Sequence, residues 1–343
     1  MPPQRAPRTH VVLLDGTMSS LTPGYETNIG LTYKLLAELR ADARTNIYYE
    51  QGIQFRGIGH AHEVLAGIGI NHQIQRSYLF LARNYRPGDQ IFMFGYSRGA
   101  YAVRSLAGLI DRMGLVRGRE ATATILAQIY DHYRRNPEGH AAQEMRDRLA
   151  HPAATITFIG VYDTVRALGI RWPVLWRFLG EVHPYHSHAL GASTQIGRHA
   201  LALNETRDAY RPVIWNVPES RACRSDDHAA CDIVQMWFRG THGDVGGQLN
   251  GRHASRPLAN IPLLWMLAEA ERAGLGLPDG WRGRYLADAQ APSIGPFAGW
   301  AKFFFDRSLR EIGRDPSEAL HPSAEAAAAA AGVTLPLIPI ASP

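Results

Sequence analysis

The sequence predicts an α/β fold: a mainly parallel sheet with helices on both faces. Three observations predict it. Short apolar runs alternate with stretches of helical periodicity along most of the chain. The run QIFMF at 90–94 is apolar throughout instead of alternating, as a strand covered on both faces must be. The polar groups Asp15-Gly16-Thr17, Ser97, Asp163 and His242 each follow such a run. Open parallel sheets carry their sites beyond the carboxyl ends of strands.

The elements follow in order. Residues 1–8 are polar and read as a flexible N-terminus. Residues 9–14, THVVLL, form a buried strand that stops at Asp15. Residues 28–39 place Ile29, Tyr33, Leu36 and Leu39 on one helical face, with Asn28 positioned to cap the start. Residues 46–49 are a brief strand, the glycine-studded stretch 52–69 a loop, and 71–85 a helix that ends before the turn Pro87-Gly88-Asp89. Beyond the strand at 90–94, residues 99–113 set Val103, Leu106, Ile110 and Met113 at helical spacing. Residues 119–149 make a helical pair broken at Asn136-Pro137, and 155–161, TITFIGV, the next strand. Residues 194–208 are expected to be a helix, 212–215 a short strand and 233–239 a strand. An amphipathic helix over 261–273 ends at Gly274. An alanine run and then LPLIPIASP follow, read as a peripheral helix and a loosely held extension over 315–343. The reading is one domain over 9–314 with a lid insertion at 168–193.

Composition excludes several classes of function. The chain has 343 residues, 45% of them hydrophobic, so it buries a large core and is not a disordered protein. Lys and Arg number 36 against 31 Asp and Glu, a net charge of +5, with no block of like charge to serve as a nucleic-acid footprint. No nucleic-acid partner is expected. The start, MPPQRAPRTH, has no apolar core of a secretory signal, and no apolar run nears the ~18 residues of a membrane span. A cytoplasmic protein, or one exported without a cleavable signal, is expected. The two cysteines, Cys223 and Cys231, share a polar stretch with His228, which has too few ligands and no usual spacing for zinc.

The chemistry concentrates at Gly95-Tyr96-Ser97-Arg98-Gly99, a G-x-S-x-G between an apolar strand and a helix. A serine on that sharp turn is held clear of the sheet, while the glycines let strand and helix approach. Serine needs a base, and the base an orienting acid. Downstream, Asp163 ends a strand, and His242 follows another with glycines on both sides in GTHGDVGG. Ser97, Asp163 and His242 are the expected catalytic residues. Asp244 is the competing acid, though a residue so close to His242 is better suited to bracing its loop. The oxyanion hole is expected from the Arg98 N–H together with Gly16 or Thr17, and Asp15 is assigned to the loop amides. Within 168–191 lie Trp172, Trp176, Phe178 and His186. Such an aromatic lid either meets substrate and a lipid surface, a peripheral membrane contact, or packs on a core of its own. No metal or organic cofactor is needed for this chemistry.

The blocks LLDGT, FGYSRGAYAVRSLAGLI, GVYDTVRALG, HALALNETRDAYRPVIW, QMWFRGTHGDVGG and LANIPLLWMLAEAERAGL stand in an order that resembles the DUF2235 family. That group includes the catalytic domain of the Tle1 class of type VI secretion phospholipase effectors. The resemblance implies an α/β-hydrolase fold, ester hydrolysis and a triad on Ser97, Asp163 and His242. It departs where relatives carry Phe-His-Asp-Thr and this chain has Tyr185-His186-Ser187-His188, and the blocks end near residue 274, before any counterpart of the effectors' membrane-docking region. A serine hydrolase of phospholipids or other acyl esters is the leading expectation. A soluble short-chain esterase, or a non-catalytic lipid- or protein-binding fold, is the alternative. The oligomeric state is not set by the sequence.

Overall fold

The structure, a computed structural model, describes residues 5–41, 44–52, 54, 68–165, 190–218, 232–298 and 304–337. In chain order the elements are β1 (Thr9–Leu14), α1 (Asn28–Ala37), β2 (Thr45–Glu50), α2 (Ile68–Asn84), β3 (Gln90–Tyr96), α3 (Arg98–Met113), α4 (Ala123–Arg135) and α5 (His140–Leu149). They continue with β4 (Ile156–Tyr162), β5 (Thr194–Ala202), β6 (Ile233–Phe238), α6 (His242–Gly246), α7 (Arg256–Arg272), β7 (Glu318–Leu320) and α8 (Glu325–Ala330). The strands form one sheet in the order β2-β1-β3-β4-β5-β6-β7. Every neighbouring pair is parallel. The architecture is α/β, a parallel sheet with helices on both faces.

The period of two along each strand sorts its side chains between two cores. Val12, Leu14, Ile91, Met93, Ile159 and Val161 pack against α2, α3, α4 and α5. Val11, Leu13, Phe92, Phe94 and Phe158 face the other way, against Ile29 and Leu36 of α1 and Leu258, Trp265 and Met266 of α7. Each such side chain contributes about 1.5–3 kcal/mol by leaving water, so neither helical layer is optional. The chain runs from β1 outward to β2 and then returns to β3 on the other side of β1. The crevice between the carboxyl ends of β1 and β3 is therefore the topological switch point, where a ligand site belongs.

The structure corrects several expectations. Residues 194–202 are a strand, not the start of a helix: β5 lies between β4 and β6, and its backbone groups enter both ladders. Alanine and leucine favour helix locally, but the buried ladders decide. Residues 212–215 form no strand of the sheet; Pro212 makes only an isolated antiparallel bridge to Val165. A proline has no N–H for a ladder. The cap of α1 is Thr27, whose hydroxyl accepts from the Gly30 N–H at 3.0 Å. Asn28 donates instead to the Val245 and Ala259 carbonyls at 2.9 and 3.0 Å, tying α1 to α6 and α7. Helix α7 begins at Arg256, not 261, with Pro257 in its first turn, and it is buried continuously from Leu258 to Leu263, so it is not amphipathic. Its end at Arg272 leaves Gly274 at φ 99°.

At the chain's beginning, Arg5 and the Arg8 N–H bond the Asp89 carboxylate at 2.6 and 2.9 Å. Near its end, Leu320 of β7 pairs in a parallel bridge with Leu337, its N–H donating to the Pro336 carbonyl at 3.0 Å. Most of the lid segment 168–193, the whole cysteine stretch, most of the glycine-rich loop at 52–69 and residues 338–343 lie outside the described residues. No helix among the described residues is long and apolar enough to cross a membrane.

Candidate active site

β3 ends at Tyr96, and Ser97 takes the turn with φ 57° and ψ −117° before α3 begins at Arg98. For a residue with a Cβ this backbone is strained, and it persists only where the surroundings enforce it. They do so closely. A Cβ on Gly95 would stand 2.6 Å from the Ala100 Cα, and one on Gly99 would stand 2.1 Å from the Leu14 carbonyl oxygen. The Ser97 N–H donates to the Tyr162 carbonyl at 3.0 Å, which fixes the turn to the end of β4.

The structure brings Ser97, His242 and Asp163 together. His242 Nε2 lies 2.9 Å from Ser97 Oγ, and His242 Nδ1 lies 2.6 Å from Asp163 Oδ2. All three are buried. Asp163 follows β4 at φ 42°, a second strained position, with its N–H on the Ala200 carbonyl and its Oδ1 accepting from the Ala202 N–H at 3.1 Å. His242 opens α6 and sits between the rings of Tyr96 and Tyr210, whose centroids are 4.9 and 4.8 Å away. Burial lowers its pKa below the ordinary 6.5, although the Asp163 charge pulls the other way. The ring is thus neutral at pH 7 and able to accept a proton.

Asp244 is placed elsewhere. Its carboxylate accepts from the Thr241 N–H and hydroxyl, both at 2.8 Å, from Ser293 Oγ at 2.5 Å and from the Ile294 N–H at 2.9 Å. It braces the loop that carries His242 and does not reach the ring. Asp15 collects the Thr27 hydroxyl, the Tyr49 hydroxyl and the Gly16 N–H at 2.7–2.9 Å. Burial nevertheless pushes its carboxyl up to about 6. The Gly16 N–H is thereby committed to Asp15. Thr17, the next residue, keeps a buried hydroxyl with no partner among the described residues, and its carbonyl accepts from Gln248. Gly16 also packs its bare Cα on Tyr96, where a Cβ would stand 2.5 Å from the ring. Trp172, Trp176, Phe178 and His186 lie outside the described residues.

Several residues around this site carry no local signal in the sequence. Glu205 accepts the His242 N–H at 3.2 Å and a paired contact from Arg207, whose guanidinium stacks 3.8 Å above the Tyr210 ring. The charge and hydrogen bonds of Arg207 outweigh the upward push of burial and bring the Glu205 carboxyl down to about 2. His199 accepts the Thr164 N–H at 3.2 Å and holds Gln235, and burial pushes its ring down to about 3. Arg310 bonds both oxygens of Asp163. His199, Glu205 and Arg207 stood in one block singled out by sequence and Gln235 in another, but nothing in those blocks said what they hold, and Arg310 stood in none. Among the described residues no group of three His, Cys, Asp or Glu is arranged to hold a metal ion.

A sequence model of the family described as the catalytic domain of the Tle1-like phospholipase effectors of type VI secretion matches residues 8–269. The uncharacterized protein YEL023C of Saccharomyces cerevisiae is 31% identical over 185 residues, which is 47% of this chain and 27% of that protein. Among solved structures, the Tle1 effector bound to the VgrG spike of the type 6 secretion system aligns at 17% identity and a TM-score of 0.38, covering 71% of this chain and 52% of its own. An uncharacterized protein from Pseudomonas aeruginosa aligns at 14% identity and a TM-score of 0.39, covering 80% and 47%. The chain spans about a quarter of the curated relative and about half of each solved chain.

Proposed function

The chain belongs to the family of Tle1-like catalytic domains of type VI secretion phospholipase effectors, and we propose on that premise that it is a serine hydrolase cleaving carboxylic esters of phospholipids through an acyl-enzyme. The observation that carries this is the relay from Ser97 through His242 to Asp163, at 2.9 and 2.6 Å, on a serine held at positive φ. Ser97 Oγ attacks the ester carbonyl while His242 Nε2 takes its proton, and Asp163 stabilises the imidazolium and fixes its tautomer. The tetrahedral oxyanion is met by the N–H of Arg98, at the positive end of α3, and by Thr17 across the crevice. The Gly16 N–H is directed at Asp15, which favours Thr17 over Gly16 as the second donor. As the intermediate collapses, the C–O bond breaks and His242 returns the proton to the leaving alcohol. Water then attacks the acyl-enzyme by the same route, releasing the fatty acid and restoring Ser97.

The test is mass spectrometry of products from defined phospholipid vesicles and from a soluble short-chain ester, for the wild type and Ser97→Ala. Lysophospholipid and fatty acid formed by the wild type, and reduced by about three or more orders of magnitude in Ser97→Ala, are the expected outcome. Turnover of the soluble ester alone would replace the phospholipase with a carboxylesterase. Silence on both, with no labelling of Ser97 by a fluorophosphonate, would leave a binding fold.

A further inference from the structure

Arg310 stands 147 residues from Asp163 in the chain, beyond the 8–269 span of the family match, yet it reaches the centre of the site. Its Nη1 lies 2.5 Å from Asp163 Oδ1 and its Nη2 2.9 Å from Oδ2. The same Nη2 donates to the Tyr210 carbonyl at 2.7 Å, so the guanidinium is itself held in place. Both side chains are buried, at 3% and 0% exposure. An acid in such a relay needs one bond to the imidazole, and a backbone N–H from Ala202 already serves its other oxygen. A planar two-pronged cation on that carboxylate therefore requires an explanation. A fork of this kind fixes the plane of a carboxylate as no single bond does. It also opposes part of the negative charge that would stabilise a protonated His242.

We propose that Arg310 is a positioning residue for the relay: its fork sets the Asp163 carboxylate in the plane that meets His242, and its charge sets the lowest pH at which the relay works. The inference rests on the serine-hydrolase reading of the site. Removing the cation acts in one direction by two routes. A buried Asp163 without its counter-ion is easier to protonate, and a His242 facing an unopposed carboxylate holds its proton to higher pH. The other ionisable groups facing the pair do not replace Arg310. His199 of β5 is neutral, and the Arg207 charge, which lowers the His242 pKa, is opposed by that of its partner Glu205, which raises it. Arg104 of α3 bonds the carbonyls of Val213 and Ile214, and the Tyr96 and Tyr210 rings flank the His242 ring.

The experiment follows the rate of fluorophosphonate labelling of Ser97 against pH in the full chain, for the wild type, Arg310→Gln and Arg310→Lys. In this reaction the serine oxygen bonds phosphorus, fluoride leaves and His242 takes the proton, so no natural substrate is needed. The wild type should lose labelling on the acid side with a midpoint below 6.5. Arg310→Gln should move that midpoint up by about one pH unit or more and lower the plateau by about tenfold to a hundredfold. Arg310→Lys, which keeps the charge and loses the fork, should leave the midpoint in place and lower the plateau. A folded Arg310→Gln with an unmoved midpoint would overturn the inference, since a merely structural role lowers labelling without moving it. Where Arg310→Gln fails to fold, a wild-type plateau in Arg310→Lys overturns it equally. A wild type that is never labelled removes the serine-hydrolase reading itself, a result distinct from either.

Discussion

A methyl group at Gly99 has no room, because its carbon would meet the Leu14 and Asp15 carbonyl oxygens at 2.1 and 2.6 Å. Backbone cannot yield there without parting β1 from α3, so Gly99→Ala should cost at least about 2 kcal/mol, read as a lower urea midpoint, and should lose labelling of Ser97 even where it folds. The pH dependence of the wild type belongs to His242. Burial depresses its pKa, so the free base persists below pH 6.5 and activity should fall only as the pH drops further. Ser97, Asp163 and His242 stood out in the sequence because each lies just beyond an apolar run, Ser97 within G-x-S-x-G and His242 among glycines, all local patterns. Arg310 did not. It sits in a polar stretch, DRSLREIGRD, where an arginine is unremarkable, and its importance comes from a contact made across most of the fold.

Helix α1 is worth more than its ten residues because its cap serves two ends. The Thr27 hydroxyl accepts from the Gly30 N–H and donates to the Asp15 carboxylate. Thr27→Ala should therefore cost about 1–2 kcal/mol, more than a solvent-facing cap, with Thr27→Ser restoring most of it; chemical denaturation at unchanged slope is the measurement. The elements with clean periodicity, α3, α4, α5 and the strands β1, β3, β4 and β6, were readable from the chain, as was the break at Asn136-Pro137. β5 was not, because ALAL has the composition of a helix and only burial between two strands makes it extended. β7 was hidden by its length: three residues carry no period at all. Helix α7 lost its amphipathic appearance for the opposite reason, being enclosed on nearly every side.

The whole molecule carries several buried imidazoles, and they decide how it responds to acid. His10, His199, His242 and His321 all have pKa values lowered by burial, to about 3 for His199 and about 4 for His321. Each is neutral in the folded chain and protonates near 6.5 when unfolded, so its contribution is complete above pH 6.5 and is lost as the pH falls toward the folded value. Each ring costs about 1.4 kcal/mol per pH unit within that window. Asp15, pushed up to about 6, acts oppositely between pH 4 and 6 and offsets about one of them. Urea midpoints should accordingly fall steeply from pH 7 to pH 4.5, and a flat profile would show that the rings are not neutral in the fold. The sheet's last edge has a different consequence. Among the described residues β6 is joined on its outer side by β7 alone, through bonds such as the Gln235 N–H to the Ser317 carbonyl, 82 positions further along the chain. A ribosome therefore delivers β6 long before its partner, and in that interval the nascent chain offers an open row of amides and carbonyls to any extended segment nearby.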